Sequence, residues 1–535
     1  MDKMKYEWLP HLSPEVLSEM KGNYLDAYVV ALEGWRRGLK LKWHHKNSPE
    51  FSHVKTWFID EPGQVFSLHS KTKSHYFFRT RGDKVSTRAV EQGMDKHFTK
   101  IQLSKSGIPV PKGKTFSKNE ELINILSYIN SIGYPVVLKP VDGSFGRGVH
   151  VKLYSEKEVK NAFNYIKNVL NEDVIVEEFI AGKDYRLYVI GNKVVGAILR
   201  VPPNIVGDGS STIVELIEKK NNVRLLNPRL KDCLITVNEE MKKYLLENDY
   251  TVDDIPRENE RVYLSEKANI SIGGDPIDVL DELSHDIKLM AIRALQSIEG
   301  LKHGAVDVMV GTTTDKCDKA YVIELNPTAQ IGGILFPIIG TSRDVPKEII
   351  DYYFPETKRE VNTSRLYFDN ISILQPLMRG IATNVVTKTL EERNLIHRKY
   401  KLDYIIDINQ YNLIKKEALN MGLNGKVLFE NNIKTIILVS GIKESLDELE
   451  FLFRQSLKLE FDVIEIFEEN IMTGFNIDKG TEYLIGKIEK QQELIHLNKK
   501  RLRKLNKEYK KLVNSTSWKI TKPMRKIIAF INEKK

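Results

Sequence analysis

The sequence predicts a multidomain protein of α/β and α+β class, and two observations carry that prediction. The chain has 535 residues, 41% apolar and 9% aromatic, enough for about three separate cores. From residue 95 short apolar, β-branched runs alternate with glycine turns and helical stretches, whereas residues 400–470 read strand, helix, strand, strand, helix, strand. This composition excludes a disordered or collagen-like chain.

Taken in order, residues 1–94 hold a helical pattern at 24–39, then the alternating run LKLKWHH and aromatic-rich segments, which predict a small α/β domain preceding the main one. Residues 95–355 carry the runs VVLKP, VIVEEFI, LYVIGNKVVGAILRV, AVDVMV and AYVIELNP, separated by glycines and helices, and form the principal domain. Residues 356–399 read as a connecting segment. The runs LDYIIDI, NLIKKEALNMGL, GKVLFE, IKTIILVSG, KESLDELEFLFRQSL and DVIEIF then follow the ferredoxin-like split βαβ order over 400–470. Residues 471–535 read as a helix or coiled coil, polar and helical over 476–513, with a basic amphipathic tail. Ile488, Ile495, Leu502, Leu505, Tyr509 and Leu512 stand near heptad spacing, interrupted by Gln491 and Asn498, so a coiled coil that joins copies of the chain is expected here.

The net charge of +9 is local. Fourteen Lys/Arg against two Asp/Glu between 499 and 535 give that stretch +12 and leave about −3 for the rest. Met524, Ile527, Ile528 and Ile531 form an apolar stripe among these cations, with Trp518 before it, a composition suited to an anionic membrane surface or a docking partner. Nucleic acid is the weaker reading, because no binding motif accompanies the charge. Cys233 and Cys317 cannot make a disulfide framework, and no Cys/His spacing suits zinc. The first thirty residues lack an apolar signal core, and no run approaches a membrane span. The expectation is a cytoplasmic protein whose membrane contact, if any, is peripheral.

The sharpest chemical signal is VVLKPVDGSFGRGVHV at 136–151. Gly143, Gly146 and Gly148 allow backbone N–H groups to approach phosphate oxygens, and Lys139 lies just upstream. A strand follows these glycines, whereas a Rossmann fingerprint or a P-loop needs a helix there. The segment therefore reads as a flexible flap over a nucleotide triphosphate; on its own it is also compatible with a tight hairpin carrying a surface lysine. Downstream, Glu324 and Asn326 are two apart on one strand and share a face, and Asp307 lies on a strand that can pair with it. Such oxygen donors suit magnesium holding substrate phosphates, although carboxylates on neighbouring strands are more often solvated or ion-paired.

Together KPVDGSFGRGV, GKDYRLYVIGNKVVGAILRVPPNIVGDGSSTIVELIEKKN, KANISIGGDPIDVLDE and the pair GAVDVMV and IELNP resemble the ATP-grasp superfamily over residues 95–340, nearest to the ATP-grasp half of cyanophycin synthetases and bifunctional glutathione synthases. The resemblance implies an ATP-grasp fold that binds ATP and Mg2+ and joins a small-molecule, peptide or sugar-acid carboxylate to an amine through an acyl phosphate. It further implies that Lys100 and Lys139 contact phosphates, with Gly143, Ser144, Phe145, Gly146 and Gly148 in the loop, and that Glu177, Glu178, Phe179 and Ile180 face adenine. Asp307, Glu324 and Asn326 match the metal ligands; Arg186, Arg200 and Asn269 match residues near the transferring phosphate and substrate. For each arginine a surface ion pair is the alternative. Arg79 and Arg81 in FFRTRGDK are candidates for anion recognition or a solvated basic loop, and most of the twelve histidines, His44 and His45 included, read as surface or loop residues. The Mur-type ligase domain of cyanophycin synthetases, with its own P-loop, has no counterpart here.

The βαββαβ block resembles an acylphosphatase, with ALNMGLNGKV as the likeness. Its phosphate loop is shortened to NQYN, Tyr411 stands where arginine belongs and Phe429 where asparagine belongs, which implies a non-catalytic module. The segment NSTSWKITKPMRKI resembles a tail of bacterial cell-surface polysaccharide glycosyltransferases and suggests partners in that assembly. The alternative to a ligase is an ATP-binding scaffold without turnover in a glycan-assembly complex.

Overall fold

Along Lys40–His44, Leu41 and Trp43 are buried while Lys40 is exposed, the period-two pattern of a strand with one face on a core. In the computed structural model this strand belongs to a five-stranded antiparallel sheet ordered Asn384–Val386, Lys40–His44, Val65–His69, Ser74–Phe78, Arg81–Gly82. Helix Gly22–Arg36 lies on it, with Gly34 against Leu68 and no space for a Cβ between them. The structure describes residues 8–57, 59, 61–141, 148–312, 318–390, 395–406, 408–430, 434–464, 469–478, 497–502, 504–511, 514, 515, 518 and 521. The chain divides into one unit of residues 1–395 with 468–473 and another of 396–467 with 474–535.

Two expectations change in this region. Residues 356–399 are more than a connector: Asn384–Val386 is the sheet's edge strand, Phe368 meets Tyr28 and Trp35 edge-on at 5.3 and 5.2 Å, and Trp35 Nε1 donates to Lys388 O at 2.7 Å. A segment that satisfies a buried indole belongs to the N-terminal core. His44 is also no surface residue. It is fully buried, its Nδ1 2.7 Å from Glu50 Oε2 and its Nε2 2.7 Å from Ser67 Oγ, and burial holds its pKa down to about 4. A strand's alternation can break at its last residue when two hydrogen-bond partners wait inside.

The principal region contains two larger sheets. One is antiparallel, ordered Gly113–Phe116, Val174–Glu178, Val136–Pro140, His150–Leu153. Helices Leu122–Ile132 and Glu156–Tyr165 close its core through Ile125, Ile129, Val159 and Phe163. The second, also antiparallel, runs Asp275–Asp278, Lys193–Val201, Lys183–Ile190, His303–Thr312, Asp318–Asn326. Leu187, Val189, Val306 and Val308 pack with Ala291 and Leu295 of helix His285–Gln296, so the alternate residues Arg186 and Asp307 emerge on the other face. A smaller core joins the Asn204–Val206 and Arg261–Tyr263 strands to helices Ile213–Leu225 and Glu239–Glu247.

In the second unit the order is strand Ile396–Leu402, helix Ile408–Asn420, strands Asn424–Glu430 and Lys434–Gly441, helix Lys443–Gln455 and strand Asp462–Ile464. The sheet order is Asp462–Ile464, Ile396–Leu402, Lys434–Gly441, Asn424–Glu430, Phe475–Asp478, the last pair parallel. Residues 409–412, expected as a shortened loop, instead form the first turn of helix Ile408–Asn420, and Tyr411 is buried in the core with Ile414, Leu446 and Phe453. An apolar ring at this spacing extends the helix inward. Ile488, Gln491, Ile495 and Leu512 of the expected coiled coil, and the stripe at Met524, Ile527, Ile528 and Ile531, lie outside the described residues. Residues 497–502 and 504–511 are helical, with Leu502, Leu505 and Tyr509 exposed. No helix among the described residues is long and apolar enough to cross a membrane.

Candidate active site

Asp95 caps helix Lys96–Lys105 by accepting from Phe98 N at 2.9 Å, and the helix carries Lys100 to the four-stranded sheet. There Lys100 Nζ lies 2.7 Å from Glu177 Oε1, and Lys139 Nζ lies 2.7 Å from Glu177 Oε2. One buried carboxylate thus grips both cations. Burial pushes the Glu177 carboxyl up, but Lys139 and Lys100 outweigh it and hold the pKa below its usual value. Burial also lowers the Lys100 pKa, against the opposing pull of Glu177. Two ammonium groups concentrated on one carboxylate form a site that a polyphosphate can satisfy by replacing or sharing that counter-ion.

Gly113 makes this close grip possible, and no sequence signal marked it. It pairs with Glu177 across the sheet, and a Cβ there would come within 2.6 Å of both Glu177 Cγ and Lys100 Nζ. Glu178 accepts from Lys112 N at 2.8 Å, Phe179 N donates to Pro135 O at 3.1 Å, and Phe179 and Ile180 are half-buried at the strand's exit. Gly143, Ser144, Phe145 and Gly146 lie outside the described residues. Gly148 has φ of +74°, which favours glycine, and sits against Leu170 and Pro140.

A second cluster lies across the five-stranded sheet. Strand pairing sets Arg200 opposite Asp184, Arg186 opposite Asp307 and Asp307 opposite Glu324. Arg186 binds Asp307 with both ends of its fork, Nε to Oδ1 and Nη2 to Oδ2, each at 2.8 Å. Arg200 Nη2 reaches Asp307 Oδ2 at 3.0 Å and Asp184 Oδ1 at 2.6 Å. Burial raises the Asp307 pKa, yet the two guanidiniums outweigh it and keep the carboxylate ionised; Asp184, also desolvated and next to Asp307, is raised on balance. Asp184 escaped sequence reasoning, although its place two residues before Arg186 puts both on one face.

Asn326 Nδ2 lies 2.8 Å from Glu324 Oε1 and 3.5 Å from Asp307 Oδ2, so one amide atom bridges both carboxylates. Turning that amide by half a rotation presents its oxygen at the same point, and three oxygen donors then converge. The residues fit a hard divalent cation. A small cavity whose lining includes Lys100, Lys139, Glu177, Val322 and Ile323 places the lysines beside the strand that bears Glu324.

Three sequence candidates stand apart. Asn269 enters the Ile270–Ile272 turn, and among the described residues no hydrogen bond ties its side chain to either cluster. Arg81 is fully buried, donating to Val85 O, Lys55 O and Thr87 Oγ1, so it braces a turn instead of meeting an anion. Arg79 is buried too, bonded to Gln64 Oε1 at 2.8 Å and 4.7 Å over the Phe78 ring.

Residues 94–215 match the family model of a RimK-like ATP-grasp domain. The chain is 33% identical over 284 residues to the cyanophycin synthetase of Trichormus variabilis, covering 52% of this chain and 31% of that one. It is 32% identical over 341 residues to the bifunctional glutathione biosynthesis protein of Clostridium perfringens, covering 62% of this chain and 41% of that one. Among solved structures it is similar to the bifunctional glutathione synthetase of Pasteurella multocida, with 27% identity, a TM-score of 0.43, and coverage of 55% of this chain and 41% of that one. The chain thus spans about a third of the length of the cyanophycin synthetases it matches.

Proposed function

We propose that this chain, which carries a RimK-like ATP-grasp domain over residues 94–215, is an ATP- and Mg2+-dependent ligase that joins a carboxylate to an amine. The observation that carries the reading is the pairing, in one unit, of a two-lysine grip with a carboxylate and amide set on facing strands. Lys100 and Lys139 would hold the triphosphate. Arg186 and Arg200 would neutralise the phosphoryl group as the substrate carboxylate oxygen attacks the γ-phosphorus and ADP leaves, forming an acyl phosphate. The amine then attacks the acyl carbon and phosphate departs, with one proton released. Asp307, Glu324 and Asn326 would hold magnesium, which when bound offsets phosphate charge. Every other contribution is positional and electrostatic, so no nucleophilic side chain is required.

The similarity to cyanophycin and glutathione enzymes favours amino acids or peptides as substrates. The basic stretch at 499–535 supports work beside an anionic surface, in making a cell-surface polymer or a secondary metabolite. The second unit, whose Tyr411 fills a core and whose Phe429 has no polar atom, serves assembly or substrate presentation without phosphatase activity. Glu324→Gln tests the centre: ADP formation is expected to fall at least about 100-fold with an unchanged circular dichroism spectrum, in line with losing a charged stabiliser of the transition state. Turnover within a few-fold of the unaltered chain would remove the assignment.

A further inference from the structure

We infer that Asp26, far away in sequence on helix Gly22–Arg36, is a positioning residue for the Asp307, Glu324 and Asn326 centre, acting by fixing the chain that leaves Asn326. The inference rests on the reading of those three side chains as cation ligands.

Beyond strand Asp318–Asn326 the backbone turns and enters the short helix Gly332–Leu335. Asp26 is buried, 2% exposed, and its Oδ1 accepts from Ile331 N at 3.0 Å. Arg229 and Arg79 supply the nearby positive charge. The residues between are held as well. Thr80 Oγ1 donates to Ala329 O at 3.3 Å; Gln330 donates to Asn23 Oδ1 at 2.8 Å and accepts from Arg229 Nη2 at 2.7 Å. Beyond the helix, Asn227 Nδ2 donates to Phe336 O at 3.0 Å.

Burying the Asp26 carboxyl is costly unless it is hydrogen-bonded, and its Oδ1 is placed to accept from the Ile331 backbone N–H. Asn326 is the last residue of its strand, and its short side chain can complete a cation site only if its backbone is placed to within about half an ångström. On the upstream side Gly304 already presses on Asn326 O, where a Cβ would come within 2.9 Å. On the downstream side these ties fix the chain's exit, and Asp26 contributes the one that reaches the Ile331 backbone N–H. A residue of the N-terminal helix Gly22–Arg36 thereby sets the backbone that follows the amide ligand.

The test is Mn2+ binding by the full chain in the presence of ADP, read by electron paramagnetic resonance, with hydrogen exchange of the peptide spanning 327–336. Asp26→Ala should weaken Mn2+ binding by about 10-fold or more, the range for loss of a residue that orients ligands, and speed exchange at Ile331. Asp26→Asn keeps an oxygen acceptor and should stay within about three-fold. Should the alanine variant fail to fold, Gln330→Ala, which loses the Asn23 and Arg229 ties, is expected to weaken Mn2+ binding by about three-fold. Unchanged affinity in the folded alanine variant, or in Gln330→Ala if only that one folds, overturns the inference. Glu324→Gln serves as the control: if it binds Mn2+ as well as the unaltered chain, the ligand assignment itself falls; if it loses Mn2+ while Asp26→Ala does not, only the role of Asp26 falls.

Discussion

At the residue scale, single buried charges show what each side chain contributes. Glu177 is tolerable in a sheet only because two ammonium groups contact it, and Asp307 only because two guanidiniums do. Asp26 has weaker compensation: burial outweighs Arg229 and Arg79 and pushes its pKa up to about 7 from 3.8. The native state therefore keeps a proton that the unfolded chain releases near pH 4, and native stability from this group declines as pH rises from about 4 to 7. Asp26→Asn removes that slope. Urea midpoints should show the asparagine variant gaining on the unaltered chain between pH 4 and 7, with a constant difference above; a difference independent of pH would contradict the raised pKa.

At the scale of elements, the strands were legible as short apolar, β-branched runs bounded by glycine turns. Val306, Asp307 and Val308 declare one buried and one open face, and the same reading placed Glu324 with Asn326. Gly113, Asp184 and Asp26 were not legible, since each owes its role to a partner from another strand or helix. The buried state of His44 and Arg81 was hidden for the same reason: their hydrogen-bond partners Ser67, Val85 and Lys55 come together only on folding. NQYN was misplaced because the first turn of a helix and a short loop share polar composition. Gly113→Ala tests the element-level claim. Its Cβ would crowd Glu177 and Lys100, so a loss of about 1–3 kcal/mol in stability is expected, together with weaker nucleotide binding in an ATP titration. Normal values of both would show that the grip has slack.

At the scale of the whole molecule, the charge and the chemistry are segregated. Both clusters lie in the unit of residues 1–395, whereas the +12 stretch lies beyond residue 498. Removing residues 479–535 should leave ATP binding within about two-fold while changing sedimentation or recovery with anionic vesicles. Loss of nucleotide binding in that truncation would contradict this separation.

The central claim is amide formation driven by ATP, and it is met most directly by ADP release from the purified chain with ATP and Mg2+, across amino acids, short peptides and uronic acids offered singly and in pairs. The account predicts release that requires one carboxylate and one amine together, with a product mass equal to both less one water. ATP binding without release for any pair, or release that needs no amine and yields no amide, would contradict it.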